Sequence, residues 1–121
     1  MTGAAQRALI VEDEMFVAML LEDMLNELGY EVAGMASRVA TALPLVETLD
    51  FDFAILDVNL AGEMSFPVAD MLAEKGVPYL FSTGYGRPGI VEAHADHPVL
   101  SKPFSSGDLQ SAITSALQAA A

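Results

Sequence analysis

Short apolar segments recur along the chain, and each one ends in polar residues. They lie at residues 8–11, 53–56, 79–81 and 99–100. Short apolar runs bounded by polar or turn-forming residues are typical of strands buried on both faces of a parallel sheet. A further short strand is predicted at residues 30–34, so the pattern predicts five strands.

Segments with helical periodicity follow these strands. In residues 15–28 the apolar positions recur three and four residues apart, with polar residues on the other side. A helix that begins at Ser65 is predicted to run through Glu74, and Ser105 or Ser106 is predicted to cap a last helix. The methionines of the first helix are expected to pack in the core or along the helix face.

Three segments depart from this regular pattern. Ser37 is a candidate N-cap of the second helix, but Pro44 lies inside that helix, which predicts a kink or an effective start near Leu43. Residues 61–64 are predicted to form a loop. Glycine and proline favour loop over most of residues 84–98, with room for one short helix.

The alternation of five strands with helices predicts one α/β domain built on a doubly wound parallel sheet. A chain of 121 residues has room for one such domain. The domain is predicted to occupy residues 8–118, after a flexible N-terminus at residues 1–7 and before a frayed end at residues 119–121.

Composition narrows the classes of function. The chain has 17 acidic and five basic residues and a formal net charge of −12, which repels both nucleic acid and anionic membrane surfaces. No apolar run approaches the roughly 20 residues of a membrane span, and no secretory signal is recognisable. The absence of cysteine excludes disulfides and a thiol nucleophile. We therefore expect a cytoplasmic protein with no membrane insertion and no nucleic-acid partner.

The ends of the predicted strands carry the candidate chemistry. Asp57 follows the run at residues 53–56, and in open α/β sheets ligands bind beyond the carboxyl ends of the strands, where strand order reverses. Glu12 and Asp13 follow the first run, Thr83 follows the fourth strand, and Lys102 follows the last. If these strands are parallel neighbours, the acids, the hydroxyl and the lysine collect at one edge of the sheet.

These positions resemble the receiver domain of bacterial two-component response regulators. The resemblance spans residues 8–117 and rests on the acids after the first and third strands, the threonine after the fourth and the Lys-Pro-Phe sequence at residues 102–104. It implies a flavodoxin-like (βα)5 fold with strand order 2-1-3-4-5. The segment at residues 78–86 further resembles the Phe-Ala-Thr-Gly-Tyr subgroup, which is common among stand-alone regulators.

The acid cluster suits a magnesium ion. Crowded carboxylates repel each other unless a divalent cation lies between them. Magnesium prefers oxygen ligands in octahedral geometry and retains water molecules. We predict Asp13, Asp57, the backbone carbonyl of Asn59 and a water held by Glu12 as the metal site.

The resemblance also implies a function. Asp57 would accept a phosphoryl group from a phosphohistidine on a sensor histidine kinase or a histidine phosphotransfer protein, while Lys102 and Thr83 would bind phosphoryl oxygens. Phosphorylation would switch a surface near the fourth and fifth strands that meets a downstream effector protein. Such a protein catalyses its own phosphorylation and dephosphorylation only.

Two features depart from the usual pattern of this family. Many receivers have an aromatic switch residue three positions before the lysine, but here that residue is Val99. Tyr85, or a rearrangement of the irregular segment after it, is the expected substitute. Glu12 replaces the commoner aspartate, which predicts weaker or shifted metal affinity. The family also implies a cis peptide bond between Lys102 and Pro103.

Two other classes of function are open. Asp57 could serve as the nucleophile of a true phosphohydrolase, although the position two residues later, where such enzymes usually have a second aspartate, is Asn59. The chain could instead be a phosphate-independent interaction module that keeps only the receiver fold.

Overall fold

A computed structural model of the protein describes residues 5–83, 98–102 and 104–120. The helices are α1 (Met15–Glu27), α2 (Val39–Thr48), α3 (Phe66–Glu74) and α4 (Ser106–Ala120), and the strands are β1 (Arg7–Val11), β2 (Glu31–Ala36), β3 (Phe53–Asp57), β4 (Asn59–Leu60), β5 (Glu63–Met64), β6 (Tyr79–Thr83) and β7 (Val99–Ser101). None of these helices has the length and apolar character of a membrane span. Tyr85, the short helix expected after Gly84 and the Lys102–Pro103 bond lie outside the described residues.

Five parallel strands form one sheet in the order β2-β1-β3-β6-β7. Because β6 and β7 are the fourth and fifth strands of this sheet along the chain, this is the order 2-1-3-4-5 that the resemblance implied. Strand order reverses between β1 and β3, where Ile10 pairs with Ile55. The doubly wound, flavodoxin-like fold is therefore confirmed, and its ligand-binding edge lies at the carboxyl ends of β1 and β3.

Apolar side chains cover both faces of the sheet. Leu56 and Phe81 belong to the cluster on the α2 and α3 side, and Ile55 and Leu80 belong to the cluster on the α1 and α4 side. Every residue of β3 and β6 is buried, because successive side chains of a strand point to opposite faces and both faces are covered. The predicted central position of the strand that carries Asp57 is correct.

Two helices begin at the positions that the sequence predicted. Ser65 is the N-cap of α3, without a side-chain cap hydrogen bond, and a proline follows in its first turn. At α4, the Asp108 backbone N–H donates to Ser105 Oγ at 3.1 Å, and the Ser105 backbone N–H donates to Asp108 Oδ2 at 3.0 Å. This reciprocal pair is a capping box, so both predicted starts are confirmed, with Ser105 as the cap of α4.

Helix α2 differs from its prediction. It begins at Val39 and continues through Pro44, so an effective start near Leu43 is wrong. Its N-cap is Arg38, without a side-chain cap hydrogen bond, and Ser37 is not the cap. Three side chains of α2 are buried along the helix, two of them before the proline. Their packing holds the first turn on the sheet although the proline removes one helical hydrogen bond.

The segment predicted as a loop at residues 61–64 forms part of a small hairpin, so that prediction is wrong. Strands β4 and β5 pair antiparallel around a two-residue turn, in which Ala61 has a φ of 54° and Gly62 a φ of 93°. Two central residues with positive φ match the turn that best joins twisted strands. The Gly62 backbone N–H donates to Asn59 Oδ1 at 2.7 Å, which closes the turn.

Helix α1 has apolar residues on two sides, and only one side faces the core. Ala18, Leu21 and Leu25 are buried against the sheet. Met15 is 74% exposed and Met19 is 51% exposed. Core packing is therefore wrong for these two methionines, whereas Met24 packs against the core as expected.

Candidate phosphoryl-acceptor site

Three carboxylates meet at the carboxyl edge of the sheet. Glu12 and Asp57 are buried, with only 4% and 7% of their surfaces exposed, and Asp13 is half-buried. One carboxylate oxygen of each residue lies within 4.8 Å of the others. This grouping follows from the topology, because Glu12 and Asp13 come directly after β1 and Asp57 ends its neighbour β3.

Lys102 follows the edge strand β7, and its side chain extends to this cluster. Its Nζ donates to Glu12 Oε1 at 3.0 Å and to Asp57 Oδ2 at 3.3 Å. Its backbone N–H donates to the Thr83 carbonyl oxygen at 2.9 Å, which extends the pairing of β6 and β7 by one residue. The lysine ammonium therefore neutralises two buried carboxylates.

Backbone N–H groups bind the second carboxylate oxygen of Glu12 and of Asp57. Glu12 Oε2 accepts from the Glu14 backbone N–H at 3.0 Å, so both oxygens of Glu12 are engaged. Asp57 Oδ1 accepts from the Asn59 backbone N–H at 3.3 Å. The two acids are thus oriented before any ligand binds.

Burial controls the protonation of the site. It raises the pKa of Glu12 to about 7, helped by the hydrogen bond with Asp57, although the Glu14 backbone N–H and Lys102 act in the opposite direction. It also raises the pKa of Asp57, although Glu12 and Lys102 oppose the shift. Burial alone would lower the pKa of Lys102, but the two carboxylates raise it overall. A cation between the acids would favour their charged forms.

A cavity of about 410 Å³ opens over Asp57. It is lined by Asp13, Glu14, Asp57, Val58, Asn59, Ala61, Gly62, Met64, Thr83 and Lys102. Thr83 is 2% exposed. The structure thus places five of the six predicted site residues in the lining of one cavity, and the sixth, Glu12, accepts a hydrogen bond from Lys102 of that lining.

Sequence reasoning missed the hairpin side of this cavity. Ala61, Gly62 and Met64 line it because β4 and β5 fold back beside the end of β3. Glu14, the N-cap of α1, also lines it. The Ala-Gly pair after Leu60 was the available signal, but alanine seldom takes a positive φ, so the pair is a weak indicator of this turn.

The arrangement suits magnesium. Carboxylate oxygens are its preferred protein ligands, and the three acids present enough of them at one point. The side-chain oxygen of Asn59 accepts the Gly62 backbone N–H, so it is already engaged in the hairpin turn. A buried acid, a fixed lysine and a cation-compatible cluster beside a cavity can bind and accept a small anionic group.

A doubly wound parallel sheet with an acid cluster and a lysine at its switch point defines a signalling domain of the receiver class. The sequence model of the response regulator receiver domain matches residues 8–114. The chain belongs to this family, in which phosphorylation and magnesium binding are typical.

Known proteins with related sequences and structures agree with this assignment. The transcriptional regulatory protein PdtaR of Mycobacterium tuberculosis is 35% identical over 112 residues, which cover 89% of this chain and 55% of PdtaR. The phyllosphere-induced regulator PhyR of Methylorubrum extorquens is 31% identical over 117 residues, which cover 93% of this chain and 44% of PhyR. The chain therefore spans about half the length of these relatives.

Solved structures of similar proteins support the same family assignment. The solution structure of SdrG from Sphingomonas melonis Fr1 is 43% identical, has a TM-score of 0.86, and covers 96% of this chain and 99% of that chain. The BeF3-activated conformation of SdrG is 41% identical with a TM-score of 0.79, and covers 93% of this chain and 97% of that chain.

Proposed function

We propose that the chain is a phosphorylation-dependent switch in which Asp57 accepts a phosphoryl group in a magnesium-dependent reaction. The observation that carries this proposal is a buried carboxylate at the end of β3 with an ammonium 3.3 Å away, both of them lining one open cavity. In water such a pair would be worth little, but burial strengthens its electrostatics. Activation of a similar chain, SdrG, by BeF3 supports the proposal.

The proposed reaction uses groups that are already in place. A carboxylate oxygen of Asp57 attacks the phosphorus of the donor, a P–O bond forms, and the bond to the leaving group breaks with its electron pair going to that group. Lys102 pairs with one phosphoryl oxygen, and the Thr83 hydroxyl donates to another. Magnesium held by Asp13, Asp57 and the Asn59 carbonyl, with Glu12 on one of its waters, would neutralise the charge of the incoming group.

The exposed side of α1 supports a protein as the physiological donor. Phe16 is 88% exposed, and Met15, Met19 and Leu20 lie beside it at 46–74% exposure. This apolar patch begins directly after Glu14 on the cavity rim. Receivers interact with histidine kinases and with downstream effectors.

We therefore propose that a histidine kinase or a histidine phosphotransfer protein docks on this patch. The acidic residues around it, in a chain of net charge −12, favour a basic rim on that partner.

The remaining parts of the proposal concern output and location. Receiver domains are generally non-enzymatic signal transducers. We propose that this one catalyses only its own phosphorylation and dephosphorylation, that it acts in the cytoplasm, and that an effector protein meets a surface near β6 and β7. The acidic charge continues to argue against direct nucleic-acid binding.

The first test is chemical. The protein should gain one phosphoryl group from a small acyl phosphate in the presence of magnesium, as measured by intact mass. Asp57→Ala should abolish the adduct, whereas Asp52→Ala, which alters an exposed acid just before the same strand, should keep it.

Other outcomes would support other functions. Absence of an adduct on folded, magnesium-saturated protein would favour a phosphate-independent interaction module. Rapid consumption of the donor without an adduct would favour a phosphohydrolase.

A further inference from the structure

Ser82 is a buried polar residue that the proposed reaction does not use. It is 0% exposed, and its Oγ has no hydrogen-bond partner among the described residues. A hydroxyl buried without a partner costs free energy, so such a group calls for an explanation.

The register of the sheet places Ser82 beside the phosphoryl acceptor. Ser82 pairs with Asp57 across β3 and β6, and with Leu100 across β6 and β7. Two residues earlier, Ile55 pairs with Leu80, and both belong to the same core cluster as Leu100. Because side chains alternate along a strand, Asp57 and Ser82 project from that same face.

The Lys102 side chain must cross this position. Lys102 follows β7, whereas its Nζ bonds to Asp57 on β3 and to Glu12 after β1. Strand β6 lies between β7 and β3. The aliphatic part of Lys102 therefore passes over β6 on the face from which Ser82 projects.

We propose that Ser82 is a positioning residue for Lys102. When Lys102 leaves Glu12 and Asp57 for the incoming phosphoryl oxygens, Ser82 Oγ accepts one of its three N–H bonds. The ammonium group has three donors, and the two close contacts with carboxylates use two of them. The Ser82 hydroxyl would thus gain its hydrogen-bond partner, the Lys102 ammonium, in the phosphorylated state. This inference rests on the proposed function.

Three variants test it. Ser82→Ala removes the hydroxyl, and Ser82→Cys keeps the side chain close to its size but supplies only a weak hydrogen-bonding group. Ser65→Ala is the matched control, since Ser65 is also 0% exposed with no Oγ partner among the described residues, but it lies at the start of α3 and not beside Asp57 in the sheet. The readouts are affinity for beryllium fluoride with magnesium, the rate of phosphorylation by acetyl phosphate, and the free energy of unfolding.

We expect Ser82→Ala and Ser82→Cys to lower both the affinity and the rate about fivefold, the factor that one hydrogen bond contributes. Ser65→Ala should leave both unchanged. None of the three should lower the free energy of unfolding, because each removes an unpaired hydroxyl. A purely structural role for Ser82 would lower the free energy of unfolding as well. Loss of affinity at an unchanged free energy of unfolding would therefore argue against a purely structural role.

Two results would overturn the inference. Unchanged affinity and rate in both Ser82 variants would show that the hydroxyl has no such role. Full recovery in Ser82→Cys would show that the side chain only fills space under Lys102. If the wild type itself neither binds beryllium fluoride nor accepts a phosphoryl group, the proposed function fails, and the inference fails with it.

Discussion

Two neighbouring regions of this molecule depart from the usual distribution of polar and apolar groups, and they do so in opposite ways. At the carboxyl edge of the sheet, charge is buried, with Glu12 and Asp57 at 4% and 7% exposure. On the outer side of α1, apolar surface is exposed, with Phe16 at 88%. Helix α4 packs on the same face of the sheet as α1, yet it exposes small polar side chains such as Ser111 and Thr114.

The comparison shows that the fold requires neither departure. The exposed residues of α4 demonstrate that an outer helix of this fold can be polar. A buried charge lowers stability unless it is paired, and an exposed aromatic side chain invites association. The two regions meet at Glu14, which is the N-cap of α1 and lines the cavity. We interpret the buried acids as the reaction site and the exposed apolar side of α1 as the docking patch for the protein that supplies the phosphoryl group.

The largest effect should come from removing the cation that neutralises the buried charge. Lys102→Ala should lower the rate of phosphorylation by acetyl phosphate about 100-fold, which is the usual loss when a preorganised donor to developing negative charge is removed. The rate can be followed by intact mass with magnesium in excess.

Lys75→Ala is the matched control for this prediction. Within the part of the chain that the structure describes, the exposed Lys75 ammonium contacts only the Glu47 carbonyl oxygen, at 3.4 Å. A Lys102→Ala rate within about threefold of the wild-type rate would remove Lys102 from the mechanism.

The next effect concerns the cost of burying Glu12. Its pKa is 4.5 in the unfolded chain and about 7 in the folded protein, so the folded state binds more protons between these pH values. Without magnesium, this group makes the free energy of unfolding fall as pH rises from about 4.5 to about 7, after which its effect is constant. Glu12→Gln should remove this component and raise the free energy of unfolding by about 2 kcal/mol at pH 8.

Denaturant unfolding in chelator-treated buffer at a series of pH values measures the effect. Glu27→Gln removes one exposed carboxylate of α1 and controls for the change in net charge. If the free energy of unfolding of Glu12→Gln changes with pH in parallel with that of the wild type, burial of the Glu12 carboxylate does not lower the stability of the protein.

The sequence was sufficient for the architecture and for the grouping of the site residues. Strand β3 is apolar on both faces, so its central position and the edge location of Asp57 followed from the pattern alone. The order of the strands required the resemblance to receivers, and the proposed role of Thr83 rests on that resemblance as well. Local residues narrowed the cap of α4 to Ser105 or Ser106, and the structure shows that Ser105 is the cap, in a capping box with Asp108.

Other features depend on tertiary contacts and could not be read in this way. The α1 sequence is apolar on two sides, so periodicity could not decide whether Met15 or Leu21 faces the core. Burial of Val39 against the sheet, which holds the first turn of α2, is also a tertiary effect. The same is true of the bonds from Lys102 to Glu12 and Asp57, which join three strand ends.

The smallest effect should be found on the docking patch, and it should depend on the donor. Phe16→Ser removes the most exposed aromatic side chain of α1 without disturbing the core, so stability should change by less than about 0.5 kcal/mol. Truncation of an exposed aromatic anchor commonly costs a protein interface about 1–2 kcal/mol. Phosphotransfer from a phosphorylated histidine donor protein should therefore slow about tenfold at limiting receiver concentration, whereas phosphorylation by acetyl phosphate should be unchanged.

This difference between donors separates docking from chemistry. Gln118→Ala, an exposed change on α4, should leave both rates at their wild-type values because that helix carries no apolar patch among its described side chains. Equal slowing with both donors would mean that Phe16 acts on the reaction site itself. No slowing with the protein donor would place the docking surface elsewhere, and the exposed apolar side of α1 would then need another partner, with the effector as the next to test.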